Sequence, residues 1–288
     1  MRSHKMPFFL RMAVKEAIFP VFRPAPSGSV GSDHWLHLVE LPKRVRVLFG
    51  GETIADGDQV KLLREAGCLP VYYFSREQVR MDLLEASEIK TRCPYKGAAV
   101  YWTVKVGDQL AENVAWSYPE PPPEASGIKD CIAFEWAKME AWYEEEEEVF
   151  VHARDPYKRI ELLKSSRHVR VVVAGEPVAD TRRPRILLEP GHPTRYYIVR
   201  EDVRMSLLEP SATKSRCPYK GIAAYWSARI RGKGFPDIAW SYIEPTPEFP
   251  GLPGLICFFQ EREAEIFVEG ERVPAPKTKW ERVQKQPP

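Results

Sequence analysis

The sequence VRMDLLEASEIKTRCPYKG, residues 79–97, occurs a second time as VRMSLLEPSATKSRCPYKG at residues 203–221. The two copies lie 124 residues apart and agree at 14 of 19 positions without a gap. The same offset relates shorter matches on both sides, such as AWSY at 115–118 and at 239–242. Solenoid repeats are about 20–50 residues long, whereas domains are about 100–150. We therefore interpret the chain as a tandem duplication of one domain.

The duplication divides the 288 residues into five parts. Residues before the first copy have no counterpart in the second half, and the Pro, Lys and Gln content after residue 273 predicts a frayed tail. The predicted parts are an N-terminal extension (1–34), a first repeat domain (35–152), a linker (153–166), a second repeat domain (167–274) and a tail (275–288).

Short strand patterns follow one another with little room for crossover helices. Residues 44–49 alternate Val and Arg, residues 71–74 are β-branched and aromatic, and residues 98–106 alternate again. Residues 79–84 predict either one helical turn or a loop that plugs the core. We predict a mainly β protein, with two tandem copies of a compact antiparallel β domain, a sandwich or an open barrel, and short helical segments.

Composition restricts the class of partner and the compartment. The net charge of +2 is close to neutral and indicates neither nucleic acid nor a membrane surface as a partner. Five scattered cysteines without a secretory signal favour reduced thiols and a cytoplasmic, or at least intracellular, location. The basic start and the amphipathic pattern of residues 8–19 leave a mitochondrial transit peptide as the alternative, which Glu16 and two early prolines disfavour.

Polar and aromatic residues that both repeats keep surround the repeated CPYKG. Arg offers a planar fork for phosphate or carboxylate, Lys a point charge, and Tyr and Trp flat faces for stacking. We predict a pocket for a small anionic, nucleotide- or phosphate-like ligand in each repeat. The alternative is that Arg and Lys point outward from strands while the aromatic residues fill the core. The predicted ligand-binding residues are Arg80, Arg92, Tyr95, Lys96, Trp102 and Glu120, with Arg204, Arg216, Tyr219, Lys220, Trp226 and Glu244 in the second repeat.

The two repeated cysteines, Cys93 and Cys217, are candidate reactive thiols, because neighbouring Arg and Lys would favour the thiolate. No histidine occurs at matching positions in both repeats, so a Cys–His mechanism common to both is not expected. The alternative is that each cysteine is a small apolar filler at a turn.

Acidic residues predict no metal site. Asp56 and Asp58 are spaced like a pair that holds Mg²⁺, but the second repeat has Arg182 in place of Asp58. The acidic run 144–148 occurs in the first repeat alone and is typical of a solvated face or linker. We expect neither a bound metal nor a cofactor.

Several segments together resemble one known family. They are GGETIAD (50–56), the Tyr72–Tyr73 pair, VRMDLL (79–84) and AWSY, with the linker VFVHARDPYKRI (149–160) similar to that of tandem members. The family is domain of unknown function family 427, for which a nucleotidyltransferase-like label is also used. The resemblance covers roughly residues 40–270 and implies compact antiparallel β domains; it brings no established reaction and no catalytic residues.

Three functions follow from these observations. The first is a binding module for a small anionic ligand. The second is a structural or protein-interaction module without catalysis, whose two domains pair within the chain as a pseudo-dimer. The third is a metal-dependent nucleotidyl or phosphoryl transferase, with Asp56, Asp58, Glu85 and Glu120 as candidate metal ligands, so whether the protein is an enzyme stays open at this point.

Overall fold

The computed structural model describes residues 34–281. The residues from Leu36 onward belong to one compact unit, which contains both repeats. The amphipathic pattern at 8–19 lies outside the described residues. Within the described part of the chain, no helix is long and apolar enough to cross a lipid bilayer.

The first repeat folds into two antiparallel sheets. Its strands are β1 (Leu36–Leu41), β2 (Val45–Phe49), β3 (Glu52–Gly57), β4 (Val60–Glu65), β5 (Val71–Ser75), β6 (Leu84–Cys93), β7 (Gly97–Val106), β8 (Gln109–Ser117), β9 (Cys131–Phe134), β10 (Ala141–Glu144) and β11 (Glu147–Glu148). The larger sheet has the order β1-β4-β5-β9-β8-β7-β6, and the smaller sheet has the order β11-β10-β2-β3.

The second repeat has the same strands in the same order. Each begins within one residue of its counterpart in the first repeat plus 124. They are β12 (Glu161–Lys164), β13 (Val169–Val173), β14 (Glu176–Thr181), β15 (Arg185–Leu188), β16 (Arg195–Val199), β17 (Leu208–Cys217), β18 (Gly221–Ile230), β19 (Lys233–Glu244), β20 (Leu255–Phe258), β21 (Ala264–Val268) and β22 (Glu271–Arg272). The sheet orders are β12-β15-β16-β20-β19-β18-β17 and β14-β13-β21-β22.

The helices are short 3-10 turns between strands. They are Arg76–Gln78, Met81–Leu83, Pro123–Ile128, Trp136–Lys138, Arg200–Asp202, Met205–Leu207, Gln260–Arg262 and Lys279–Glu281. The turn Met81–Leu83 accounts for the helical pattern at 79–84. The prediction of two tandem, mainly β domains with short helical segments is therefore confirmed.

The larger sheet of each repeat buries side chains on both faces. One face packs against the smaller sheet, and this inter-sheet core includes Val45 and Val47 from β2 and Phe74 from β5. The opposite face, called the outer face below, carries a second apolar cluster that includes Tyr73 and Tyr118. Because successive side chains of a strand point to opposite faces, Tyr72 joins the inter-sheet core and Tyr73 the outer face.

The structure moves two of the expected boundaries. Strand β12 lies inside the predicted linker 153–166, yet it pairs with β15 in the larger sheet of the second repeat. The second repeat therefore begins earlier than residue 167, at the counterpart of β1. The predicted tail at 275–288 also contains a docked part, because Thr278 and Trp280 make hydrogen bonds with the second repeat.

The acidic run 144–148 is not wholly a solvated face. Glu145 to Glu148 are exposed, but Glu144 is buried. Its carboxylate accepts hydrogen bonds from Lys43, Arg154 and the hydroxyl of Tyr72. The expectation was wrong for Glu144 because a carboxylate with charged partners can be buried, which a run of identical letters does not reveal.

Candidate functional site

A buried ion pair occupies the same place on the outer face of each repeat. Lys96, in the turn before β7, pairs with Glu65 at the end of β4. In the second repeat Lys220 pairs with Glu189, and their side chains are only 9% and 5% exposed. Glu65 and Glu189 are 124 residues apart, so alignment of the two repeats could have identified them. They were missed because they lie 31 residues before their lysines.

Aromatic hydrogen bonds are duplicated beside the ion pairs. The indole N–H of Trp116 donates to the hydroxyl of Tyr73 over 3.3 Å, and Trp240 donates to Tyr197 over 3.1 Å. Tyr118 and Tyr242 complete the same surfaces. Burial raises the pKa of Tyr118 and Tyr242, so both hydroxyls stay neutral at physiological pH.

The second repeat gathers additional cationic groups around its glutamate. Lys158, from the segment between the repeats, contacts the Glu189 carboxylate over 2.7 Å, and Nδ1 of His192 lies 3.5 Å from it. The Lys158 ammonium also lies 4.8 Å from the centre of the Tyr219 ring. At the corresponding positions, the first repeat has Cys68 for His192 and His34 for Lys158. We refer to Lys158, Glu189, His192, Tyr219 and Lys220 as the Glu189 cluster.

Burial and neighbouring charges shift the pKa values of Glu189, His192 and Tyr219 in the Glu189 cluster. Burial acts to raise the pKa of Glu189, but Lys220 and Lys158 outweigh this effect and lower it, so the carboxylate is ionised at neutral pH. Burial lowers the pKa of His192, and Glu189 offsets only part of that shift. Burial also raises the pKa of Tyr219 to about 12. Two ammonium groups therefore share one carboxylate beside a neutral histidine.

Comparison with known proteins finds one family, which matches each of the two repeats. A sequence model of one family, described as domain of unknown function (DUF427), matches residues 37–145 and again residues 161–270. The chain is a tandem member of DUF427. This confirms the resemblance seen in the repeated segments, and the two matches run from β1 to β10 and from β12 to β21. A comparison with curated proteins finds no match.

The predicted ligand-binding residues of each DUF427 repeat do not form one cluster. Arg80 lies before β6 and Lys96 follows it, so the ten residues of β6 separate them by about 30 Å. Arg80 is half exposed and pairs with Asp82 over 2.7 Å. Arg204 pairs with Glu176 and donates to the carbonyl of Pro177. Both arginines therefore stabilise a turn at the opposite end of the strand from the lysine.

Strand alternation separates further residues from Lys96. Trp102 and Trp226 pack against the inter-sheet cores, whereas Lys96 and Lys220 lie at the outer face. Arg92 is exposed and adjoins Cys93, which belongs to the outer cluster, so Arg92 points to the other face. Its counterpart Arg216 stacks on the ring of Phe150, with 4.3 Å between guanidinium carbon and ring centre.

Two pairs of predicted residues remain. The tyrosines precede the lysines in the chain, and the glutamates contact the turn through their backbone carbonyls. Tyr95 is exposed, whereas the Tyr219 hydroxyl accepts a hydrogen bond from the backbone N–H of Asp155 over 2.8 Å. The side chains of Glu120 and Glu244 are exposed. Their carbonyl oxygens instead pack against Gly97 and Gly221. The two glutamates therefore contribute a backbone carbonyl, and not a side chain, to the contact with the turn.

The candidate thiols Cys93 and Cys217 are half-buried in the outer clusters. Each is the last residue of an edge strand and faces the glycine that begins the next strand. The five cysteines are all free thiols. Burial raises the pKa of Cys257 to about 12, so that thiol is unreactive at neutral pH.

Several of the candidate metal ligands are paired with cationic side chains. Asp56 accepts a hydrogen bond from Arg44 over 2.8 Å, which lowers the pKa of Asp56, and Asp180 contacts His168 in the same way over 2.7 Å. Glu85 pairs with Lys105 over 3.1 Å. Among residues 34–281, no group of three or more His, Cys, Asp and Glu side chains could hold a metal ion.

Proposed function

We propose that this tandem DUF427 protein is a ligand-binding module and that its second repeat binds a small anion at the Glu189 cluster. The proposal is carried by one observation: Lys158 and Lys220 both contact the single carboxylate of Glu189. One positive charge of the cluster is left uncompensated. Because the carboxylate is buried, that charge is weakly screened and attracts an anion strongly.

The chemistry of the cluster suits a phosphate, sulfate or carboxylate group. Two ammonium groups offer donors as point charges, and His192 supplies a third donor once it is protonated. Tyr219 provides a flat ring beside Lys158, suited to the planar part of a nucleotide-like ligand. The five free thiols support a reducing, cytoplasmic location for this binding.

Titration of the full chain with inorganic phosphate at pH 7 tests the proposal. We expect saturable binding by isothermal calorimetry and a matching rise in melting temperature. The variant Lys158→Met should bind at least tenfold more weakly, since it removes the uncompensated charge but leaves the Lys220–Glu189 pair intact. A tenfold loss corresponds to about 1.4 kcal/mol.

The matched control is Lys96→Met, which changes the lysine of the first repeat, where His34 stands at the position of Lys158. Its phosphate affinity should equal that of the wild type, provided that the protein remains folded. Absence of saturable binding to the wild type, or equal binding by Lys158→Met, would show that the cluster is not an anion site.

A second candidate function is that of an interaction protein whose two domains pair within the chain. The segment between the repeats favours it. Arg154 bonds to Glu144 of the first repeat and to Glu248 of the second, and Asp155 pairs with Arg64 while its N–H donates to Tyr219. These contacts support a fixed arrangement of the two domains, as expected for a pseudo-dimer.

A further inference from the structure

A second binding feature of the second repeat involves the C-terminal segment. Trp280 packs against the outer cluster of that repeat. Its indole ring lies 5.5 Å from the ring of His192 and 5.6 Å from the guanidinium carbon of Arg195. The segment therefore covers part of the outer face beside the Glu189 cluster.

Two polar contacts join the segment to the repeat, and a third lies within the segment. The Thr278 hydroxyl donates to the Glu261 carboxylate over 2.8 Å. The carbonyl of Trp280 accepts from Nε of Arg262 over 2.8 Å, and the N–H of Trp280 donates back to the Thr278 hydroxyl over 3.2 Å. The groove thus binds the Thr278 hydroxyl together with the indole ring and the carbonyl of Trp280, and one residue lies between these two anchors.

Two of the residues that contact the segment, Arg195 and Glu261, have buried side chains. Arg195 is 8% exposed and donates to both oxygens of Glu261, over 2.9 and 2.6 Å. Its guanidinium carbon lies 5.3 Å from the Trp240 ring and 5.9 Å from the Phe259 ring. A guanidinium fixed between aromatic rings favours one more flat ring on its open side, which Trp280 supplies.

The first repeat lacks this groove. The counterparts of Arg195, Phe259, Glu261 and Arg262 are Val71, Glu135, Ala137 and Lys138. Trp116 is accordingly only half-buried, whereas its counterpart Trp240 is buried. All four of these groove residues differ between the two repeats. The second repeat therefore has a surface that was not simply copied in the duplication.

We propose that this groove is a peptide-binding site for an extended Thr-x-Trp segment, and that the C-terminal segment of the chain is its resident, exchangeable occupant. Pro274, Ala275 and Lys277, which join β22 to the anchor residues, are exposed. The connection is therefore held less tightly than the anchor residues, and a Thr-x-Trp sequence from another protein chain can take the place of the segment. Trp280 shares one neighbour with the Glu189 cluster, the ring of His192; its other contacts are with residues outside that cluster, so the peptide is tested without phosphate.

Binding of a fluorescent peptide with the sequence of residues 274–288 tests the proposal by anisotropy in phosphate-free buffer. The full-length Trp280→Ala chain, whose own segment lacks the indole, should bind the peptide at least tenfold more tightly than the wild-type chain. A peptide carrying Trp280→Ala should not bind, and one carrying Thr278→Val should bind several-fold more weakly.

A second form of the protein keeps the test decisive if Trp280→Ala unfolds. A protease site inserted between Ala275 and Pro276 is cut after folding, and the labelled peptide should then replace the severed segment. The proposal is overturned if neither folded form captures the peptide, or if the peptide with Trp280→Ala binds equally well. A phosphate titration of the same samples reports on the anion site separately, so one proposal can fail without the other.

Discussion

Glu189 and its counterpart Glu65 occupy the same place in the two repeats but have different partners. Glu65 pairs with Lys96, whereas Glu189 is shared by Lys220 and Lys158 and lies beside His192. A buried ion pair contributes little net stability compared with apolar residues of the same size, because both charges lose their hydration. The further lysine and the histidine therefore fit the proposed anion site better than a role in stabilising the fold.

Titration of His192 predicts a pH dependence. Burial lowers its pKa in the folded protein, so below about pH 6.5 the unfolded chain takes up a proton that the folded chain does not. The free energy of unfolding should fall as the pH drops through this range. Millimolar sulfate, bound beside His192, should favour the imidazolium and reduce the fall.

Urea unfolding between about pH 7.5 and 5, in chloride and in sulfate, measures this effect. The His192→Gln variant is the control, because every other titrating group is retained. The difference in stability between wild type and variant should change with pH and shrink in sulfate; a difference independent of pH would contradict the role given to His192.

The turn between the edge strand and its neighbour is the element that places each lysine. Cys217 faces Gly221 across this turn, where Gly221 has φ of +96°. A Cβ at Gly221 would lie 2.0 Å from the carbonyl oxygen of Glu244, and one at Gly97 would lie 3.1 Å from that of Glu120. Glycine is required because the connection after the aromatic strand passes directly over the turn.

We expect Gly221→Ala to destabilise the protein by about 3 kcal/mol or more. A non-glycine residue at such a φ costs about 1–3 kcal/mol, and the overlap with the Glu244 backbone adds to it. Gly97→Ala should cost less, since the contact at that position is longer.

Chemical denaturation followed by tryptophan fluorescence provides the comparison. Gly234→Ala serves as the control, because a Cβ there meets no atom within 4 Å. If Gly221→Ala proves no more destabilising than Gly234→Ala, the glycine at the turn is not required for the backbone approach.

On the scale of the whole molecule, the segment between the repeats connects two buried networks. Arg154 donates to Glu144, which Lys43 and Tyr72 also contact, and to Glu248 of the other repeat. Because Glu144 is buried, loss of one cation leaves its charge poorly compensated. The two repeats should therefore unfold as one cooperative unit.

Arg154→Ala should lower the stability by about 2–3 kcal/mol and split one calorimetric transition into two. Arg159→Ala is the matched control from the same segment: Arg159 is 82% exposed and pairs with Glu161 on the surface. Such a pair contributes about 0–1 kcal/mol. Two separate transitions already in the wild type would argue against paired domains.

Much of the fold could be predicted from the sequence. Alternation of side-chain types identified β2 and β7, a run of β-branched and aromatic residues identified β5, and the offset of 124 transferred each strand to the second repeat. Strand β6 was missed because it is an edge strand whose side chains are mostly exposed, so it lacks an apolar pattern. Strand β12 was missed for the same reason, since it lies at the other edge.

The duplication, the family and the mainly β class could all be inferred from the amino-acid sequence, because they depend on local patterns and on identity between the two copies. Which repeated residues share a face became clear only from the packing of the strands. Lys96 meets Glu65 rather than Arg80 because the order of strands in the larger sheet, and not distance along the chain, sets the neighbours of a side chain. The docking of Trp280 and the burial of Glu144 follow from the same long-range packing.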